Sequence, residues 1–222
     1  MREPMRILVK KEMLTLEGIR QYYILLKQNN WKQSVIMDLY SSISLAQTMI
    51  FCNSKQGVME LKKMLEENNH MVDIMHGGMT QTERNQIMDN FRMGKSRILI
   101  STDMLSRGID IQQVSLIINY DLPFKPEQYL HRIGRSGRYG RKGIAINLVT
   151  ESDYQDLRLI QNFYSTQIDS TGRKYRFSKF DGSSMGGAYS EGTFGGMAFG
   201  IDNLLEMKVK NPNDSTSENN SK

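Results

Sequence analysis

The sequence predicts an α/β fold whose sheet is mainly parallel and covered by helices on both faces. Short apolar, β-branched runs alternate with helical patterns through most of the chain. Polar, glycine and histidine residues stand directly after those runs, where ligands sit in parallel sheets. The periodic text stops near Asp169, which separates a globular body from a different kind of ending.

The strand-like runs in the body are Thr48–Cys52, Val72–His76, Arg97–Thr102, Leu116–Tyr120 and Gly143–Val149. Between the first two, a helix is expected over about 54–69, with Val58, Leu61 and Leu65 on one stripe. The next helix opens at Thr80, since Glu83 three residues on completes a capping box. Ile87, Met88 and Phe91 give it an apolar face, and Gly94 ends it. Pro126 suits the first turn of a helix running toward Gly134. A last helix covers about 152–164. Strands linked by helices of this length need right-handed crossovers.

Composition narrows the function classes. The chain has 222 residues and a net charge of +5, which suits either solubility or a phosphate-bearing partner. No run approaches the ~18–20 apolar residues of a membrane span. A single cysteine, Cys52, leaves no internal disulfide framework or multi-cysteine zinc site and points to a reducing compartment. Histidines 70, 76 and 131 have no zinc-type spacing, so no metal site is expected. From Ser170 the text is rich in Gly, Ser and Asn, and residues 170–222 read as a disordered tail.

One apparent phosphate motif is a decoy. Gly94-Lys95-Ser96 has the ending of a P-loop, but Asp89 stands where the first glycine is required. The triplet also follows a helix and precedes a strand, the reverse of a P-loop. It is read as a helix end with a basic neighbour.

Three other segments carry chemistry. In His131-Arg132-Ile133-Gly134-Arg135-Ser136-Gly137-Arg138, arginines alternate with glycines. Guanidinium forks pair with phosphate oxygens, and glycines permit close approach. If the helix continues, His131, Arg135 and Arg138 share a face. In Ser101-Thr102-Asp103…Arg107-Gly108-Ile109-Asp110, a hydroxyl and backbone amides follow a buried strand, and Asp110 suits ribose hydroxyls. His76-Gly77-Gly78 with Gln81 and Arg84 sets amides and a basic residue at a strand end. Taken alone, each segment also reads as ordinary turn, cap or surface chemistry.

Together with Ile50-Phe51-Cys52-Asn53-Ser54, these segments resemble, in order and spacing, the four motifs of the second RecA-like domain of DEAD-box RNA helicases. The similarity is greatest to the initiation factor 4A group, including its exon-junction paralogue. It implies a RecA-like three-layer αβα sandwich over 19–169, with 1–18 as an interdomain-linker-like segment and first strand. It further implies that ATP binds between two such domains, with magnesium held mainly by the amino-terminal one. Arg135 and Arg138 would then be arginine fingers, Asp110 and Gly108 would meet the nucleotide, and His131 would couple the domains. Asn53, Ser54, Gly77, Arg84 and Thr102 would hold RNA by its backbone, without sequence preference. The implied partners are RNA, an amino-terminal RecA-like domain and a helical-repeat scaffold of the initiation factor 4G type, in the cytoplasm or alternatively the nucleus.

The family's first RecA-like domain, with its P-loop and Asp-Glu-Ala-Asp box, has no counterpart in these 222 residues. The expectation is therefore half of an ATP-dependent RNA helicase, active in translation initiation and inactive alone. The alternatives are a non-catalytic module that binds RNA or a scaffold, and the matching half of a nuclear RNA-processing helicase. The Gly/Ser-rich ending replaces the family's usual short close.

Overall fold

The computed structural model describes residues 18–42, 47–103, 114–136 and 143–174. Seven strands form one sheet: β1 (Ile19–Leu26), β2 (Thr48–Phe51), β3 (Val72–Met75), β4 (Ile98–Ser101), β5 (Leu116–Asn119), β6 (Gly143–Thr150) and β7 (Asp169–Lys174). Their order is β3-β4-β2-β5-β6-β1-β7, and every neighbouring pair is parallel. Such a sheet must be covered on both faces, and β2, β4 and β5 are accordingly buried at every residue.

Helices α1 (Trp31–Ser42) and α2 (Lys55–Glu67) cover one face, while α3 (Gln81–Arg92), α4 (Pro126–Ile133) and α5 (Tyr154–Tyr164) cover the other. The alternation of strand side chains divides the core. Ile50, Ile100, Ile118 and Leu148 pack with Val35, Leu39, Val58, Leu61 and Leu65 on the first face. Met49, Phe51, Leu99, Ile117 and Val149 pack with Met88, Phe91, Tyr129, Ile133, Leu157 and Ile160 on the second. Burial of each such aliphatic side chain contributes about 1.5–3 kcal/mol. Among the described residues, no helix is long and apolar enough to cross a membrane.

The expected capping box at Thr80 is present: its hydroxyl oxygen accepts from the Glu83 amide, and the Glu83 carboxylate accepts from the Thr80 amide at 2.7 Å. Gly94 follows α3 with φ +72, the left-handed conformation that lets a helix end there, so Gly94-Lys95-Ser96 is a helix terminus. Cys52 is fully buried, and desolvation pushes its thiol up, away from the reactive range.

Three features go beyond the sequence reading. Among the described residues the first strand is β1, which begins at Ile19 and sits inside the sheet between β6 and β7. Helix α1, which carries no clean apolar stripe, is an element the sequence pattern does not announce. The sheet also continues past Asp169, because Asp169–Lys174 pairs with β1. An edge strand needs backbone hydrogen bonds on one side only, so a polar, glycine-containing stretch suffices. Its register shifts between Tyr23 and Leu25, opposite Gly172. The rest of the expected tail, 175–222, lies outside the described residues, as does 1–17.

Candidate nucleotide and nucleic-acid interface

The chain leaves β2 toward α2 on one face and leaves β5 toward α4 on the other, and these two strands are neighbours. A crevice therefore opens at their carboxyl ends, the usual ligand position in this architecture. At its base lies Arg132, fully buried. Its Nε donates to Asp103 Oδ1. One terminal nitrogen donates to the Asp121 carbonyl at 2.6 Å and to Asn119 Oδ1 at 3.3 Å. The other donates to Asp103 Oδ2 at 2.7 Å and Asn53 Oδ1 at 2.8 Å. These bonds engage all of the guanidinium's N–H donors. The group also stacks over the Phe51 ring at 5.2 Å. Arg132 is thus a brace joining α4 to the ends of β2, β4 and β5, with no donor left for a ligand.

Asn53 belongs to the same brace. Its side-chain amide donates to the Leu122 carbonyl at 2.8 Å, and its backbone N–H donates to Asp121 Oδ2 at 3.0 Å. Lys32 at the start of α1 closes the other side of Asp121 at 3.0 Å and reaches Asp153 at 3.8 Å. With only 3% of its side chain exposed, this lysine is held by two carboxylates and the Tyr120 ring.

Behind the brace a line of polar side chains crosses the second face. Asn119 donates to Asn147 at 2.8 Å, Asn147 donates to the Tyr129 hydroxyl at 3.2 Å, and that hydroxyl donates to Gln21 at 2.9 Å. Gln21 in turn donates to Thr166 at 3.2 Å. Burial of Tyr129 raises its phenol pKa, so it remains a neutral donor. These bonds fix α4 over β5, β6 and β1. An open polar concavity lined by Arg158, Gln161, Asn162, Ser165, Thr166 and Gln167 lies at the end of α5, beside the start of β1 rather than at the crevice.

The remaining expected site residues face outward. Ser54 is exposed and caps α2, its hydroxyl oxygen accepting from the Gly57 amide at 3.0 Å. That leaves the hydroxyl hydrogen as a donor. Gly77 is exposed after β3, and its carbonyl accepts from Arg84 at 3.1 Å. Thr102 is half-buried after β4, its amide bonded to the Met75 carbonyl at 3.3 Å. These positions follow three adjacent strands, β3, β4 and β2.

His131 is exposed on the last turn of α4, and its carbonyl accepts from Arg135 Nε at 3.3 Å. The helix does not continue as the shared face of His131, Arg135 and Arg138 required. It ends at Ile133, with Gly134 as its cap. A Cβ on Gly134 would lie 2.8 Å from the Leu130 carbonyl oxygen, so only glycine permits this close turn. Ser136 then bridges to Val114, carrying the chain back onto the sheet. Arg135 therefore stands in a turn, half-buried, rather than on a helix face. Gly108, Asp110 and Arg138 lie outside the described residues.

Sequence reasoning missed the brace. In the sequence Arg132 is one arginine of a basic motif, Asp103 reads as turn chemistry, and neither Lys32 nor Asp121 stands out. No local pattern marks them, since Asp103 stands 29 residues from Arg132 and Asp121 stands 89 from Lys32.

The comparisons with known proteins bear on this geometry. The family model described as helicase conserved C-terminal domain matches residues 31–140. A second model, LptD protein, matches 146–222, of which 146–174 form β6, α5 and β7 of the parallel sheet described above. Eukaryotic initiation factor 4A of Caenorhabditis elegans is 56% identical over 169 residues, covering 76% of this chain and 42% of that protein. ATP-dependent RNA helicase FAL1 of Yarrowia lipolytica is 55% identical over 169 residues, covering 76% and 43%. The chain thus spans less than half the length of these curated relatives. The solved C-terminal domain of the DEAD-box protein Dbp5 superposes with a TM-score of 0.67 at 36% identity, covering 71% of this chain and 92% of that one.

Fold and strand-end site together define a RecA-like helicase carboxyl-terminal domain. The chain belongs to the DEAD-box helicase family and is similar to initiation factor 4A and to FAL1.

Proposed function

We propose that this domain is the second half of an ATP-dependent RNA helicase acting in translation initiation. It grips RNA by its backbone through Ser54, Gly77, Arg84 and Thr102, on a turn held in place by Asn53. The observation that carries this reading is the row itself. Ser54, Gly77 and Thr102, read as RNA contacts from separate parts of the sequence, follow three adjacent parallel strands at their carboxyl ends, and Arg84 bonds the Gly77 carbonyl. Contacts of this kind reach phosphate and sugar, which carry no base identity.

ATP lies between this domain and an amino-terminal RecA-like partner. Arg135 and Arg138 offset the charge that grows on the transferring phosphoryl group, Asp110 and Gly108 meet the nucleotide, and His131 couples the two domains. Arginine fingers are worth about 10³–10⁵ in rate, but only with a bound nucleotide and a positioned water. The described acids at the strand ends suit this division of labour. Both oxygens of Asp103 are taken by Arg132, and Asp121 is shared by Lys32 and the Asn53 amide. Magnesium would be held mainly by the partner domain. A helical-repeat scaffold of the 4G type in the cytoplasm is the further partner proposed.

The test is RNA affinity against ionic strength, measured by fluorescence anisotropy with a single-stranded oligonucleotide. We expect weak, sequence-independent binding with a log–log slope of about −0.7 per phosphate contact. Arg84→Ala should remove about 0.7 of that slope. A flat salt dependence, or strong preference for one base sequence, contradicts the reading.

A further inference from the structure

The row of strand ends does not stop at β2. The next strand in the sheet is β5, and the turn after it presents Phe124, 82% exposed. The other strongly exposed large hydrophobics among the described residues are methionines and a leucine. Isolated exposed aliphatic residues are ordinary. An aromatic ring this open, at the end of this strand, is not explained by packing.

The ring also stands on a fixed backbone. The Asp121 carbonyl is held by Arg132 and the Leu122 carbonyl by Asn53. Leu122 and Pro123 are buried, and Pro126 begins α4 two residues beyond the ring. Two prolines and two anchored carbonyls leave the turn little freedom, so an incoming ligand would lose little entropy in ordering it. Lys125, beside it, is exposed and cationic. The Asn53–Leu122 bond ties this turn directly to the one bearing Ser54. Phe124 is two residues from Leu122, within about 7 Å along the chain. From β3 to β5 there are three inter-strand steps of ~4.8 Å, about 14 Å in all, within reach of one continuous strand of a few nucleotides.

We propose that Phe124 is a stacking platform for a nucleobase of single-stranded RNA, with Lys125 meeting the adjoining phosphate. The proposal deepens the clamp described above and rests on it: the phosphates run along the ends of β3, β4 and β2, and a base at the end of that path lies on the ring. Stacking of this kind adds affinity without demanding a particular base, because every base has a π-face. A docking surface for another protein is the competing use of such a ring. The observations favour RNA, because the ring continues the row of proposed backbone contacts and has a cation beside it.

The experiment compares the chain with its Phe124→Ala, Phe124→Tyr and Arg84→Ala variants, by anisotropy, on labelled oligouridine and on an abasic ribose-phosphate strand of equal length. Phe124→Ala should weaken oligouridine binding about 5- to 100-fold, leave the salt slope unchanged and leave the abasic strand unaffected. Phe124→Tyr should retain most of the affinity, and Arg84→Ala should weaken both strands. Equal melting temperatures of the Phe124 variants and the parent check that the fold is intact, as exposure of the ring leads us to expect. If Phe124→Ala leaves oligouridine binding unchanged while Arg84→Ala weakens it, the platform is refuted and the clamp stands. Equal loss on base-bearing and abasic strands refutes stacking. If Phe124→Ala spares RNA but abolishes association with an amino-terminal RecA-like domain, the ring is a protein contact and the proposal is overturned. If the parent chain binds neither strand, the clamp reading itself fails and the platform with it.

Discussion

Arg132 and Arg135 stand three residues apart in one basic segment and end in opposite environments. Arg132 lies on the inward face of α4, has every donor engaged and touches the ends of three strands. Arg135 lies beyond Gly134, in the turn that follows the helix. The same contrast separates Asn53, turned inward onto Leu122 and Arg132, from Ser54, exposed at the head of α2. In each pair one residue holds the scaffold and its neighbour stands outside it, half-buried at Arg135 and exposed at Ser54. A guanidinium buried among carboxylate and carbonyl oxygens cannot serve a phosphate without tearing that scaffold. Within this basic segment, the guanidinium open to a phosphate is therefore the one past the helix end.

Substitutions should break this contrast to different degrees. Arg132→Ala leaves Asp103 without its cation and several acceptors unpaired, so it should destabilise the domain by about 3–5 kcal/mol in chemical denaturation. Arg135→Ala should remain within about 0.5 kcal/mol of the parent in the same measurement. Equal effects of the two would erase the distinction between brace and finger.

Tyr129→Phe is a smaller cut in the same scaffold. It removes the hydroxyl linking Asn147 and Gln21 while keeping the ring, and should cost about 1–3 kcal/mol. A double-mutant cycle with Gln21→Leu should recover part of that loss, since removing both partners relieves the unpaired group. Strict additivity would show that the polar line does not act as a unit.

The α3 cap lies away from the brace and should matter less. Thr80→Ala should lose about 1 kcal/mol, read from thermal or denaturant melts. Hydrogen bonds from the Thr80 backbone and hydroxyl hold the Glu83 carboxyl below its ordinary value of 4.5. A carboxylate depressed in the folded state stabilises above its unfolded pKa, and that stabilisation disappears as pH falls through the folded value. The gap between the parent and Glu83→Ala should therefore be larger at pH 7 than near pH 3. A gap that grows in acid would show that the carboxylate does not cap.

Much of the sheet was legible because parallel strands buried on both faces are written as apolar runs. Thr48–Phe51, Ile98–Ser101 and Leu116–Asn119 are of that kind. The strands at the other side of the sheet were harder to read. Gln21, Tyr22 and Tyr23 give β1 a mixed text, and Gln21 is polar because it serves the polar line between Tyr129 and Thr166. The sequence Asp169–Lys174 lacks an apolar pattern because β7 lies at the sheet edge. The site divides in the same way. Ser54, Gly77 and Thr102 follow from the rule that ligands meet the carboxyl ends of parallel strands. The burial of Arg132 does not, because its partners Asn53 and Asp103 are brought to it only by folding.

The central claim is that the guanidinium groups following α4 complete an ATP site in trans. The direct measurement is ATP turnover when this chain is mixed with an amino-terminal RecA-like domain carrying a P-loop, with and without RNA. The account predicts no turnover by this chain alone, RNA-dependent turnover in the mixture, and a loss of about 10³-fold or more on Arg135→Ala with stability unchanged. Robust hydrolysis by the chain alone, or a mixture whose rate is indifferent to Arg135→Ala and Arg138→Ala, would contradict it.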